Sequence, residues 1–441
     1  MRIHPGLFMA LVWSLCAITY YVLPFKLIGN SLSTFGFFIF FLFILSFVFG
    51  SILIPKSNIV AIHTQLRNID FRNADTVLKL ACVVAILACC ADLVSASSLD
   101  LAEAYKQRSE RAGALLRGQA SNSSLAFQFA FITYPAGFIF IARRIIFDHK
   151  IRLFSLAFFG FGPVVLAMLA MGGRAPLLYA ILISIFSFLA RSSLNKDVRT
   201  SRVLPKASKS VIFTVMAVIP IAAFIYFAKV FLVRAEVVGG AAQMFQVAEQ
   251  VWGIGFKGET ADLLFQLLGK EVSYLIFVFT WYLVQGLIMS NLLFTYYEGD
   301  MQLGIYGIDL VSALMRRLDG ELVAAHFQAL MDLGTYGFLP SAFGSLFVDF
   351  LYGGFFVALI WGLLVGLVYQ KIRKNYDARW YIFIPFITLG IIFSLINTPL
   401  GFTNGFVTHF YLVITFLLST DVTRKVANSL HNDELKSSKE V

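Results

Sequence analysis

Ten apolar runs of close to 20 residues recur between residues 7 and 420, and no other property limits the fold of this chain so severely. They cover 7–25, 33–54, 77–94, 123–141, 153–171, 175–190, 210–230, 352–370, 381–398 and 404–420. As a helix, each reaches across about 30 Å of hydrocarbon, where every backbone N–H and C=O must be satisfied within the segment. The expectation is an all-α, polytopic membrane protein of about ten transmembrane helices, a single membrane domain over 1–441. Composition agrees, with 59% hydrophobic and 14% charged residues against roughly 45–50% and 25% in a soluble domain. A water-soluble fold is excluded. Cys16, Cys82, Cys89 and Cys90 all lie inside apolar runs without paired spacing, so they read as small core residues rather than a disulfide or metal framework. The first run is expected to be retained as a span, because no small-x-small cleavage site follows it.

Orientation follows from Lys and Arg, which stay on the cytoplasmic side. Placing 1–6, 55–79, 142–152, 191–209, 371–380 and 421–441 inside puts 23 of the 35 basic residues there with only 9 of the 25 acidic ones, a balance of +14 against −4 for the rest. Both termini are then cytoplasmic, 421–441 is a cytoplasmic tail, and the net charge of +10 needs no nucleic-acid partner. Two loops lie on the far side: a polar one at 95–122 and a large helical one at 231–340. Within the latter, residues 273–291 are apolar enough to cross, yet one extra crossing would move the KIRK cluster at 371–374 outside. They are therefore expected to lie in the interface with Tyr274, Trp281 and Tyr282 at headgroup level. Ile308, Val311, Leu314, Met315, Leu318 and Leu322 recur at helical spacing opposite Arg316, Arg317 and Asp319, the pattern of a surface helix.

The far side carries grouped arginines: Arg108, Arg111 and Arg117 in the first loop, Arg174 in the tight MGGRAPLL gap, Arg234, and Arg316 with Arg317. A guanidinium grips phosphate bidentately at any physiological pH, so this set suits a diphosphate at a membrane surface. The plainer alternative is that loop arginines snorkel or pair with acids such as Glu103 and Glu110. For Arg174, a turn-flanking anchor stands against a phosphate or sugar role. His326 and His409 are the histidines placed to act as a general base, with His326 the catalytic candidate. The pairs Glu298 with Asp300 and Asp319 with Glu321 read as solvated loop residues, and no metal or cofactor is expected. No phosphate-binding loop, dinucleotide fingerprint or Cys/His cluster is present.

Several stretches together resemble the Wzy-type polymerases of O-antigen and related bacterial polysaccharides. They are DLAEAYKQRSERAGALLRGQASNSS before a span, MGGRAPLLYAILISIF opening another, YLVQGLIMSNLLFTYYEGDMQLGIYGIDLVSALMRRL in the large loop, and LGTYGFLPSAFGSLFVDFLYGGFF leading out of it. The resemblance implies a membrane glycosyltransferase of GT-C-like architecture in the bacterial inner membrane. It would join undecaprenyl-diphosphate-linked oligosaccharide repeat units at the periplasmic face without a metal, with membrane lipids and a chain-length regulator as partners. The related O-antigen ligases usually carry a His-Ser element where this chain reads AAHFQALMDLG, which favours the polymerase. A transporter would need charged residues deep in several spans, and the span centres here are almost free of them.

Overall fold

The computed structural model describes residues 3–23, 25–28, 32–54, 69–95, 124–171, 174–197, 217, 219–250, 252–257, 259–335, 337–373 and 377–421. The protein is all-α and membrane-embedded: among the described residues, eight helical segments are long and apolar enough to cross a bilayer. The N-terminal part runs through α1 (Pro5–Val22), α2 (Thr34–Ile52), α3 (Arg72–Ser95), α4 (Leu125–Thr133) and α5 (Ala136–Phe147). After a π-helical turn at Leu156–Phe161 come α6 (Gly162–Met171), α7 (Ala175–Asp197), α8 (Ile219–Val237) and α9 (Ala241–Gln250). The rest comprises α10 (Thr260–Tyr296), α11 (Asp309–Leu318), α12 (Gly320–Asp332), α13 (Ser341–Phe350), α14 (Gly354–Arg373), α15 (Ile384–Phe393) and α16 (Gly405–Leu418).

Two short antiparallel strand pairs mark the ends of the bundle. β1 (Phe25–Leu27), which follows α1, pairs with β3 (Ile254–Phe256), and β2 (Ile69–Asp70), which precedes α3, pairs with β4 (Thr420–Asp421). We call the β1–β3 end upper and the β2–β4 end lower. α1 rises to the upper end and α2 descends, so Gly6 lies against Ser51 at the lower end. There the His4 ring packs edge-on to Tyr369, 5.1 Å away near the end of α14.

Close backbone packing holds the bundle. Gly50 on α2 and Gly362 on α14 face each other's helix so tightly that an added Cβ would overlap the Leu359 or Phe47 carbonyl oxygen. Small residues permit such contact between helices where lipid offers no hydrophobic driving force. The lower end carries a charge network: Arg143 Nε meets Asp75 at 2.9 Å, Arg144 meets Asp148 at 2.6 Å, and Arg143 also bonds Asp148. Arg191 on α7 donates to the Ile145 and Asp148 carbonyls at 2.8 and 2.7 Å, so α3 and α5 are tied by paired charge and α7 is tied to the end of α5 through backbone carbonyls.

At the upper end the structure corrects two expectations. Residues 273–291 do not lie flat in the interface; they form the buried part of α10, broken from its first arm at Gly269 (φ 77°). Gly286 is the reason, since its missing side chain lets the Leu395 carbonyl touch the helix. The helix also makes no net passage to the lower end. Phe277 packs on Phe25 of β1, Cys16 Sγ donates to the Leu283 carbonyl, and Asn291 bonds Ser33 at the upper end of α2. α10 thus slants through the upper half, which leaves Arg373 at the lower end. The second correction concerns the last two runs. They form only the shorter helices Ala378–Phe393 and Gly405–Leu418, joined by a non-helical turn over 394–404 in which Ser394, Thr398 and Asn404 are buried. The hairpin turns inside the bundle because Tyr134 and Asn404 bond across it to Thr403 and Phe131.

Candidate functional site

Arg174 stands at the upper start of α7, and its guanidinium lies 3.6 Å from the centre of the Phe231 ring on α8. Its Nη2 reaches the Tyr282 hydroxyl of α10 at 3.4 Å. Tyr226 of α8 is within electrostatic reach of both Arg174 and Arg234, and those two arginines repel each other. Among the described residues Arg174 has no acidic partner, and its Nη1 is enclosed without a hydrogen bond. Burial pushes the Arg174 pKa down to about 10, with Tyr282 opposing and Arg234 reinforcing the shift. The group remains a cation at neutral pH. A cation over an aromatic face, beside the Tyr282 hydroxyl and within electrostatic reach of a second arginine, can receive an oxyanion.

The other expected residues are dispersed. Arg316 stacks on Phe327 at 5.5 Å within the α11–α12 hairpin, and Arg317 is exposed. His326, half-buried on α12, is tied in by its backbone carbonyl, which accepts from Gln302 Nε2 at 3.1 Å. Its ring makes no hydrogen bond among the described residues. The His409 ring bonds the Gly405 carbonyl of its own helix at 2.8 Å. Asp319 caps α12 by accepting from Leu322 N–H at 2.9 Å. Arg108, Arg111 and Arg117 lie outside the described residues.

Sequence reasoning missed Asp349. Its carboxylate, 1% exposed inside α13, accepts from Tyr306 N–H at 3.0 Å and Gly307 N–H at 2.8 Å. This pins the turn that begins α11. Nothing in the local pattern FGSLFVDFLYGG separates such an anchor from a solvated acid. Phe231 and Tyr226 were missed as well, because aromatic residues in an apolar run carry no positional signal.

No protein-family model matches this chain, and comparison with curated proteins and with solved structures gives no match.

Proposed function

We propose that this chain polymerises undecaprenyl-diphosphate-linked oligosaccharide repeat units into O-antigen or a related surface polysaccharide. The single observation that carries the reading is Arg174, seated on Phe231 and beside the Tyr282 hydroxyl within electrostatic reach of Arg234, with no acidic partner among the described residues. Glycosyl transfer from a lipid diphosphate builds negative charge on the departing phosphate oxygen. Fixed cations held near hydrocarbon stabilise that charge at little reorganisation cost. In this reading the upper end is periplasmic, the lower end and both termini are cytoplasmic, and the bacterial inner membrane is the site. Ten membrane-embedded passes remain, because α10 stays within the outer half. The basic residues of the lower end, Arg143, Arg144, Arg191 and Arg373 among them, then lie on the cytoplasmic side.

The test is direct. Purified protein in lipid nanodiscs, given undecaprenyl-diphosphate-linked repeat units, is expected to yield a ladder of chains spaced by one unit and to release the lipid diphosphate. Units that stay unjoined, or that move once onto a lipid-A-core acceptor without lengthening, would overturn it.

A further inference from the structure

Two consecutive non-glycine residues in the turn between α15 and α16 are left-handed, Thr403 at φ 51° and Asn404 at φ 57°. Such backbone is disfavoured for a side chain with Cβ, and where the surroundings impose it a functional demand is the first explanation to test. Asn404 is 1% exposed; its Nδ2 donates to the Phe131 carbonyl, and its Oδ1 is enclosed with no partner among the described residues. α11 packs against α16, and the Gly307 carbonyl just before α11 accepts from Thr398 Oγ1 of the turn at 3.0 Å. α11 brings a second enclosed and unpartnered atom, the Oγ of Ser312, on a residue 7% exposed. Buried polar atoms of this kind are few in folded proteins, and each needs an occupant or a reason.

The same junction holds Asp309, the first residue of α11, exposed and within electrostatic reach of Tyr134. The Tyr134 hydroxyl donates to the Thr403 carbonyl at 2.9 Å, so the phenol ties the carboxylate's surroundings to the strained turn. A carboxylate and an amide oxygen accept hydrogen bonds only, and a serine hydroxyl accepts as readily as it donates. A ligand rich in O–H donors complements this set, and a carbohydrate is such a ligand. The place relative to the arginines also fits. Tyr179 follows Arg174 by five residues, about 7.5 Å along α7 at the usual helical rise, and its ring lies 5.8 Å from Phe402 beside the turn.

We propose that the junction of α11 with the 398–404 turn binds the acceptor sugar, and that Asp309 takes the proton of its attacking hydroxyl. The inference rests on the glycosyl-transfer reading above. In the step, the acceptor oxygen bonds to the anomeric carbon of the donor chain while the bond from that carbon to the diphosphate oxygen breaks. The hydroxyl proton passes to the Asp309 carboxylate. The electron pair leaves with the lipid diphosphate, whose charge Arg174 and Arg234 hold.

Two measurements test the proposal. First, oligosaccharide released by mild acid from the lipid-linked pool of the same cells is titrated against the full-length protein in nanodiscs. Binding is expected for the wild type and for Arg174→Ala, and a loss for Asn404→Gly, which keeps the left-handed backbone but removes Oδ1. No binding by the wild type, or binding untouched by Asn404→Gly, means the enclosed atoms hold water alone and sinks the subsite. Second, Asp309→Asn is expected to slow transfer by about 10²- to 10⁴-fold, the usual worth of a positioned proton acceptor, while its affinity for undecaprenyl diphosphate stays that of the wild type. Full-rate transfer, or a parallel loss of diphosphate affinity, removes Asp309 from this role. A wild type that binds the sugar but never joins units overturns the polymerase reading and leaves the subsite standing.

Discussion

Asn291 and Ser33 exchange two hydrogen bonds: Ser33 N–H donates to Asn291 Oδ1 at 2.8 Å, and Asn291 Nδ2 donates to the Ser33 carbonyl at 2.9 Å. This pair fastens the end of the slanting α10 to the upper end of α2, and Asn291 is fully buried. Asn291→Ala leaves two backbone groups without partners, at a cost of about 1–3 kcal/mol. A lower melting temperature of the detergent-solubilised protein is expected. An unchanged value would show that the contact does not hold α10 in place.

The course of α10 also makes the proposed sidedness testable. Reporters active only outside the cytoplasm are expected to work when fused after residues 260 and 320 and to fail after 65, 200 and 376. Residue 320 decides the matter, since a cytoplasmic signal there requires α10 to reach the lower end.

Arg174→Ala is expected to insert at normal abundance and to make only single repeat units. The charge-assisted contact it removes is worth about 1.5–3 kcal/mol, or about ten- to hundred-fold in rate. Arg174→Lys keeps the charge without the planar fork and is expected to recover part of the chain length. Chain-length profiles normalised to membrane protein level check this; long chains from the Ala variant would take Arg174 out of the site.

The lower-end network predicts a large stability effect. Asp148 is bonded by both Arg143 and Arg144, whose side chains are only 10% and 19% exposed. Asp148→Ala leaves those buried cations short of compensating charge, and breaking such a pair costs about 3–5 kcal/mol. Thermal unfolding in detergent is the measurement, and a shift no larger than that of an exposed control such as Asp262→Ala would contradict it.

Acid should weaken the start of α1. Burial, and then the Arg373 guanidinium, hold the His4 imidazole below its ordinary value of 6.5. A histidine lowered in the folded state stabilises while neutral, so its contribution is present above 6.5 and fades as pH falls through the lower folded value. The structure gives the reason: Nδ1 accepts from Gly6 N–H, which a protonated ring cannot do. Between about pH 7.5 and 5 the wild type is expected to lose more thermal stability than His4→Asn, a cap that does not titrate. Equal losses in the two proteins would contradict the capping role.

Hydropathy made the helical, membrane-embedded class legible, because a long apolar run permits few structures in lipid. The same logic failed at 273–291 and 381–420. Run length reports whether a segment can be buried, whereas its path depends on which backbone meets which: Gly286 against Leu395, or Tyr134 against Thr403, pairs more than a hundred residues apart in sequence. Of the arginines, Arg174 stood out through its short polar gap. Its partner Arg234 became visible as a neighbour only once α7 and α8 were laid side by side.

The glycine-lined seam between α2 and α14 has a consequence for biogenesis. α2 ends at Ile52 and α14 begins at Gly354, so roughly 300 residues separate the two faces. At the usual pace of synthesis the ribosome needs about 15–60 s to make that length. Throughout that interval α2, with its eight phenylalanines, waits in lipid without its main partner. Any insertion factor that shields such orphaned helices should act on this protein at α2, and the nascent chain cannot close this seam until α14 has been made.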